Sequence, residues 1–214
     1  MKTRDQQANV LFISSFPPRK CGIASFTRDL IRSIQQEPEN RFRIQVCALD
    51  KKDSDHDYPS QVIRTLDSAQ LEDYLETARF INEDPTLALV CIEHEFGLYG
   101  GEMGEYLVGF LALVEKPVIV RFHTVLPAPE LKRLKIVQDI CSMADRIIVM
   151  TQNSARLLRE DYGIAPANIV VIPHGTHGKS PLGAAALKHR YQLENRKVLT
   201  TFGLLSPNKG IETG

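Results

Sequence analysis

Short apolar runs rich in β-branched residues alternate with segments of helical periodicity along most of this chain. The runs have the length of buried strands, and the segments between them repeat apolar residues at the spacing of one helix face. This alternation predicts an α/β fold with a doubly wound, mostly parallel sheet joined by right-handed crossovers. The predicted strands span residues 10–13, 42–49, 62–66, 86–92, 118–123, 146–150 and 168–172.

Helices are predicted between most of these strands. They cover residues 26–34, 68–82, 102–114, 130–143 and 152–162. Ser25 or Thr27 is expected to cap the first helix, and Thr151 is expected to cap the last, because their hydroxyl groups can accept from free N–H groups. Gly163 suits the position just after the last helix.

The composition changes after the strand at 168–172. The following segment is polar and rich in small residues, which is typical of a connection with one weak helix. Residues 197–202 then predict another strand, and no helix follows it to cover it. We therefore expect a Rossmann-like N-terminal domain at residues 1–178, a linker at 179–196, and the start of a truncated second domain at 197–214.

Charge and cysteine content exclude several classes of protein. The 26 basic residues match 26 acidic residues, which argues against a broad basic surface for nucleic acid. The four cysteines have no paired spacing and are interpreted as free thiols in a reducing compartment. The N-terminus is polar, and no run approaches the roughly 20 apolar residues that a membrane span needs. A cytoplasmic location is predicted.

Two ionisable side chains lie on one face of the strand at 118–123. Side chains alternate along a strand, so Arg121 and His123 point to the same side as Ile119. A buried strand does not need such residues to fold, and ligands bind at the carboxyl edge of parallel sheets. His123 is therefore a candidate catalytic residue, although a lone histidine is also common as a core or surface residue.

Polar residues also end the strand at 86–92. Glu93 and Glu95 flank His94, and a glycine-rich loop beginning at Gly97 follows. The group could act in acid/base chemistry or bind a metal. Alternatively, one of the glutamates pairs with Arg121 in a structural salt bridge, since unpaired buried charge is costly. No HExxH spacing follows, so a zinc protease is not indicated.

Two further segments have the composition of phosphate-binding turns. Residues 16–26 lie between a strand and a helix N-terminus, which favours an anion such as a phosphate or a sugar contact. The turn lacks the spaced glycines of a dinucleotide fingerprint, so no NAD site is indicated. The end of a P-loop is matched by Gly178, Lys179 and Ser180, but Pro173 replaces its first glycine. P-loop nucleotide hydrolysis is therefore an unfavoured alternative.

Six segments together carry a family resemblance. In chain order they read FPPRKCGIASF, IEHEFGLYGG, VRFHT, DRIIVMTQNSARLL, IPHGT and FGLLSPNKGIE. In this order they resemble the N-terminal half of the retaining, nucleotide-sugar-dependent glycosyltransferases of family 4, which have the GT-B fold of two facing Rossmann-like domains. The resemblance implies metal-independent sugar transfer with retention, without a cofactor. The partners it implies are a nucleoside-diphosphate sugar as donor and a sugar, glycan or glycolipid as acceptor. Apolar residues on the predicted helix at 102–114 could also make a peripheral membrane contact, and the core is the alternative place for them.

The resemblance also implies residue roles. His123 would contact the transferred sugar near the reacting carbon. The predicted substrate-binding residues are Gly22, Ile23, Ala24, Glu93, His94, Glu95, Gly97, Arg121, Lys209 and Gly210, of which the last two would bind the donor diphosphate. No metal ligand is predicted.

The chain departs from the family pattern near its C-terminus. Leu204 follows Gly203 where the family usually has an arginine, and the family's paired glutamates would lie beyond Gly214. Gly22, Ile23 and Ala24 stand where many members have paired glycines. We therefore expect the 214 residues on their own to have negligible catalytic turnover. A catalytically silent binding module is an alternative, which Leu204 favours.

Overall fold

The structure is a computed structural model that describes residues 8–51, 54–176, 178 and 182–201. The strands are β1 Ala8–Ser14, β2 Phe42–Asp50, β3 Val62–Asp67, β4 Leu87–His94, β5 Val118–Phe122, β6 Arg146–Val149 and β7 Ile169–Val171. The helices are α1 Gly22–Gln36, α2 Leu71–Glu83, α3 Tyr106–Leu111, α4 Leu131–Met143, α5 Gln152–Glu160 and α6 Ala184–Arg190. These bounds confirm every strand predicted before residue 173.

The described residues form one parallel sheet of seven strands in the order β3-β2-β1-β4-β5-β6-β7. The chain moves outward from β1 through β2 to β3, crosses to β4, and then moves outward in the opposite direction. The predicted doubly wound α/β fold is confirmed. The strand order reverses between β1 and β4, and ligands of doubly wound sheets bind at the carboxyl edge beside such a reversal.

Each face of the sheet has its own hydrophobic cluster. On one face, Val120 and Phe122 of β5 pack in a cluster that includes residues of α2, α3, α4 and α5. On the other face, Phe12 of β1 packs in a smaller cluster with Ile31 of α1. Burying such an apolar side chain stabilises the fold by about 1.5–3 kcal/mol. The side chains of β5 therefore alternate as predicted, with Arg121 on the face of α1.

Helix starts only partly follow the sequence prediction. α1 begins at Gly22 with Cys21 at its N-cap, so the predicted cap by Ser25 or Thr27 is wrong. Thr27 lies inside the helix, where its hydroxyl donates to the carbonyl of Ile23 at 2.9 Å. For α5 the predicted cap is confirmed, since Oγ1 of Thr151 accepts from the backbone N–H of Ser154 at 2.9 Å.

α3 is shorter than the predicted helix at 102–114. It begins only at Tyr106, and the chain before it turns sharply. Gly101 and Gly104 have φ angles of +91° and +83°, which a right-handed helix cannot contain. These two glycines keep the preceding residues as a loop at the carboxyl edge of the sheet.

The chain divides into two compact units, Met1–His174 and Gly175–Gly214. The second contains α6, in agreement with the single helix expected there. Residues 197–201 are not in a strand, so the predicted strand at 197–202 is wrong over its described part. A strand needs a neighbouring strand for its backbone hydrogen bonds, and no described strand of this unit lies beside these residues. The predicted domain limits remain a prediction. Among the described residues, no helix has the length and apolar content to cross a bilayer.

Candidate functional site

Three of the predicted site segments meet at the carboxyl edge of the sheet. The turn at residues 15–21 follows β1, Glu93 lies near the end of β4, and His123 comes directly after β5. β1, β4 and β5 are neighbours in the sheet, and the strand order reverses between the first two. The segments therefore lie where doubly wound sheets bind their ligands.

Glu93 connects Arg121 to His123. Glu93 and Arg121 are register partners on β4 and β5, and the Arg121 Nη1 atom lies 2.6 Å from the Glu93 Oε1 atom. The His123 Nε2 atom lies 2.7 Å from the second carboxylate oxygen, Oε2. Backbone pairing continues to this point, since the His123 N–H donates to the carbonyl of His94 at 3.0 Å. The sheet register thus places all three side chains in one cluster.

The cluster is largely shielded from solvent. The exposed fraction of the side chain is 1% for Glu93, 11% for Arg121 and 10% for His123. A carboxylate this deeply buried requires a charged partner, which the guanidinium of Arg121 supplies. The predicted structural salt bridge is therefore present, with Glu93 rather than Glu95 as its acidic member. The same carboxylate also holds the candidate catalytic histidine.

Phe26 of α1 covers this cluster. Its ring lies edge-on to the His123 ring, with the centroids 4.9 Å apart and an interplanar angle of 89°. The guanidinium carbon of Arg121 is 5.3 Å from the same ring, and the His174 ring lies 4.9 Å away on centroids. The sequence analysis missed Phe26 and His174 as neighbours of the site. An aromatic residue at helical spacing carries no sequence signal that separates packing over polar groups from packing in the core.

His94 is separated from the other predicted site residues. Its imidazole is fully buried, in ring contact with Phe96, Tyr99 and Phe122. Neither ring nitrogen has a hydrogen-bond partner among the described residues. Burial, with a smaller contribution from His123, lowers the pKa of His94 to about 3. The ring is therefore neutral and lies on the face of the sheet that is opposite to Glu93.

Glu95 and Gly97 have different surroundings from Glu93. The Glu95 carboxylate accepts from the Thr124 hydroxyl at 2.6 Å and from the backbone N–H of Phe96 at 3.1 Å. It therefore ties the loop after β4 to the loop after β5. Gly97 is exposed, and a Cβ atom added to it would meet nothing within 4 Å.

The predicted turn residues Gly22, Ile23 and Ala24 form the first turn of α1. N–H groups in a first turn have no acceptor within their own helix and attract anions. The N-cap Cys21 carries a perturbed thiol. Burial raises the pKa of Cys21, but the Ser15 hydroxyl and the nearby helical N–H groups outweigh it and lower this pKa below its usual value.

Several of the residues named from the sequence lie outside the described part of the chain. Lys209, Gly210 and Leu204 lie outside the described residues, as do Lys179 and Ser180 of the P-loop alternative. All four cysteines of the sequence are free thiols. Within the described ranges, no three His, Cys, Asp or Glu side chains converge to hold a metal ion.

A scan against protein-family models matches Glycosyltransferase Family 4 over residues 21–178. The chain belongs to Glycosyltransferase Family 4. The match includes Glu93, Arg121 and His123, and the parallel sheet is consistent with one half of a GT-B fold. Membership supports glycosyltransferase activity in general. A search of curated proteins finds no match to the chain.

Proposed function

We propose that the protein transfers a sugar from a nucleoside-diphosphate sugar to an acceptor, with retention of configuration and without a bound metal. Family membership supports the transfer, and the site geometry supports its location. The observation that carries the proposal is the buried cluster of Glu93, Arg121 and His123 beside the strand-order reversal. Apolar residues at the same positions would stabilise the fold about as well as a buried ion pair does. Stability therefore does not account for these charged residues, which favours a role in the reaction.

The reaction needs two kinds of electrostatic support. Breaking the bond between sugar and diphosphate leaves positive charge on the sugar ring and negative charge on the leaving group. His123, at the rim of the sheet, would contact the transferred sugar and its developing charge. The first turn of α1 would stabilise the negative charge of the diphosphate by its N–H groups.

The acceptor side would be formed by the loop after β4. Glu95 fixes this loop to Thr124, and Gly97 leaves open space in front of its backbone. A sugar, glycan or glycolipid acceptor would approach here, and a glycolipid would bring a peripheral contact with a membrane surface. A cytoplasmic location remains part of the proposal.

The test is a screen of the complete gene product against a panel of UDP- and GDP-sugars. Release of the nucleoside diphosphate identifies the donor, and the anomeric signals of the product report retention. Addition of EDTA should leave the rate unchanged. A panel in which nucleotide-sugars bind but none is hydrolysed or transferred would contradict catalysis and favour the silent binding module.

A further inference from the structure

We infer that Glu93 is a positioning residue that fixes the tautomer of His123, so that the ring offers its Nδ1 lone pair to the substrate. The inference rests on the proposed function and assigns Glu93 a role different from the substrate contact predicted from the sequence. Both oxygens of the carboxylate are engaged, at 2.6 Å and 2.7 Å, and its side chain is 1% exposed. Because both of its oxygens already have partners, this carboxylate is not free to attack or to bind a sugar.

The charge of Arg121 decides the direction of the second hydrogen bond. A guanidinium only donates, so the Glu93 oxygen that faces it must accept. Arg121 and Glu93 form a salt bridge at 2.6 Å, and the carboxylate of a salt bridge has no proton to donate. The bond between Glu93 Oε2 and His123 Nε2 is therefore donated by the imidazole.

The proton on Nε2 leaves Nδ1 as the acceptor of the neutral ring. Within the described part of the chain, no hydrogen bond reaches Nδ1, and this atom is not among the buried unpartnered ones. Phe26 packs edge-on against the ring and fixes its tilt. The imidazole is thus held at one nitrogen and supported on its side, with the other nitrogen left for a substrate hydroxyl.

Glu93→Gln tests the assignment because Arg121 would orient the new amide. The amide oxygen of the glutamine would face the guanidinium of Arg121, because the glutamine NH₂ group would be repelled by the N–H groups of the arginine. The NH₂ group would then point at His123 Nε2 and donate to it. We expect the proton of the imidazole to move from Nε2 to Nδ1, which turns the substrate-facing atom from an acceptor into a donor.

The readout is the pair of ring nitrogen shifts of His123. Long-range ¹H–¹⁵N spectra of the histidine-labelled full chain distinguish the two tautomers at about pH 8, and loss of a signal in His123→Ala assigns the residue among the six histidines. Glu95→Gln is the matched control, because Glu95 bonds Thr124 and Phe96 instead. It should leave the His123 tautomer unchanged.

A second variant covers the risk that Glu93→Gln alone does not fold. Glu93→Gln combined with Arg121→Met removes both buried charges and leaves the amide free to rotate. We expect this double variant to show a mixture of the two tautomers. In transfer assays, Glu93→Gln should lower kcat on the order of 10²-fold with little change in KM, because the ring would then present a donor to the substrate hydroxyl instead of an acceptor.

The outcomes separate the inference from the proposed function. A wild-type His123 protonated on Nδ1, or the same tautomer in wild type and Glu93→Gln, would overturn the inference while transfer activity continued to support the function. The expected tautomer switch together with no transfer by the wild type would uphold the positioning role of Glu93 and overturn the proposed function. A switch in Glu95→Gln as well would also overturn the inference.

Discussion

Replacing His94 by phenylalanine should stabilise the protein, and more strongly at low pH. The imidazole is fully buried in ring contact with Phe96, Tyr99 and Phe122, and neither nitrogen has a partner among the described residues. An unsatisfied buried polar group costs about 1–3 kcal/mol. A benzene ring has no such group and suits the aromatic surroundings. We therefore expect His94→Phe to raise the free energy of unfolding by about 1–3 kcal/mol at pH 7.5.

The pH dependence follows from the pKa of His94, which burial lowers from 6.5 to about 3. Because the folded-state value lies below the unfolded one, the unfolded chain binds a proton first as the pH falls. The contribution of the neutral His94 ring to the free energy of unfolding is thus fully present above pH 6.5. It is lost progressively as the pH falls from 6.5 to 3. At pH 5 the loss amounts to about 2 kcal/mol. The advantage of His94→Phe should grow by that amount between pH 7.5 and pH 5.

Urea unfolding of both proteins at the two pH values measures this difference. His189→Gln is the control for the loss of one histidine from the unfolded chain, since the side chain of His189 is 85% exposed. Its stability should stay within about 0.5 kcal/mol of wild type at pH 7.5. An advantage of His94→Phe that is the same at pH 7.5 and pH 5 would refute the reasoning, because it would mean that His94 is not held neutral by burial.

Two other predictions concern the cysteines and the loop before α3. Iodoacetamide at pH 7.5, followed by mass spectrometry, should label Cys21 before Cys47. The reason is that the pKa of Cys21 is lowered, whereas burial raises the pKa of Cys47 to about 12. Equal labelling of the two thiols in the folded protein would contradict this prediction. Gly100→Ala should lower the free energy of unfolding in urea by about 1–3 kcal/mol, because the added Cβ would clash with the backbone carbonyl oxygen of Ser68. Gly97→Ala meets nothing within 4 Å and is its control.

The sheet could be predicted because each strand is a short apolar run bounded by turn residues. The alternation along β5 placed Arg121 and His123 on one face, and the structure confirms this. The choice of partner could not be made, because both Glu93 and Glu95 were plausible until the register of β4 against β5 was known. A register shifted by two residues would instead have brought Glu95 opposite Arg121.

The errors arose where local pattern and tertiary packing disagree. The apolar spacing at 102–114 is helical, but Gly101 and Gly104 adopt left-handed backbone conformations and delay the helix to Tyr106. The role of Phe26 depends on how α1 crosses the strands, which no spacing within the helix reveals. His174 is near the site only because β7 ends at the same edge of the sheet.

The most direct test of the proposed function is the transfer rate of His123→Ala in the complete gene product, with the donor that the panel identifies. We predict a loss of about 10²-fold or more in kcat, with a urea midpoint that shows the variant to be folded. His189→Ala should transfer at the wild-type rate, because this side chain is exposed and lies outside the cluster. A folded His123→Ala variant that transfers sugar as fast as wild type would contradict the proposal.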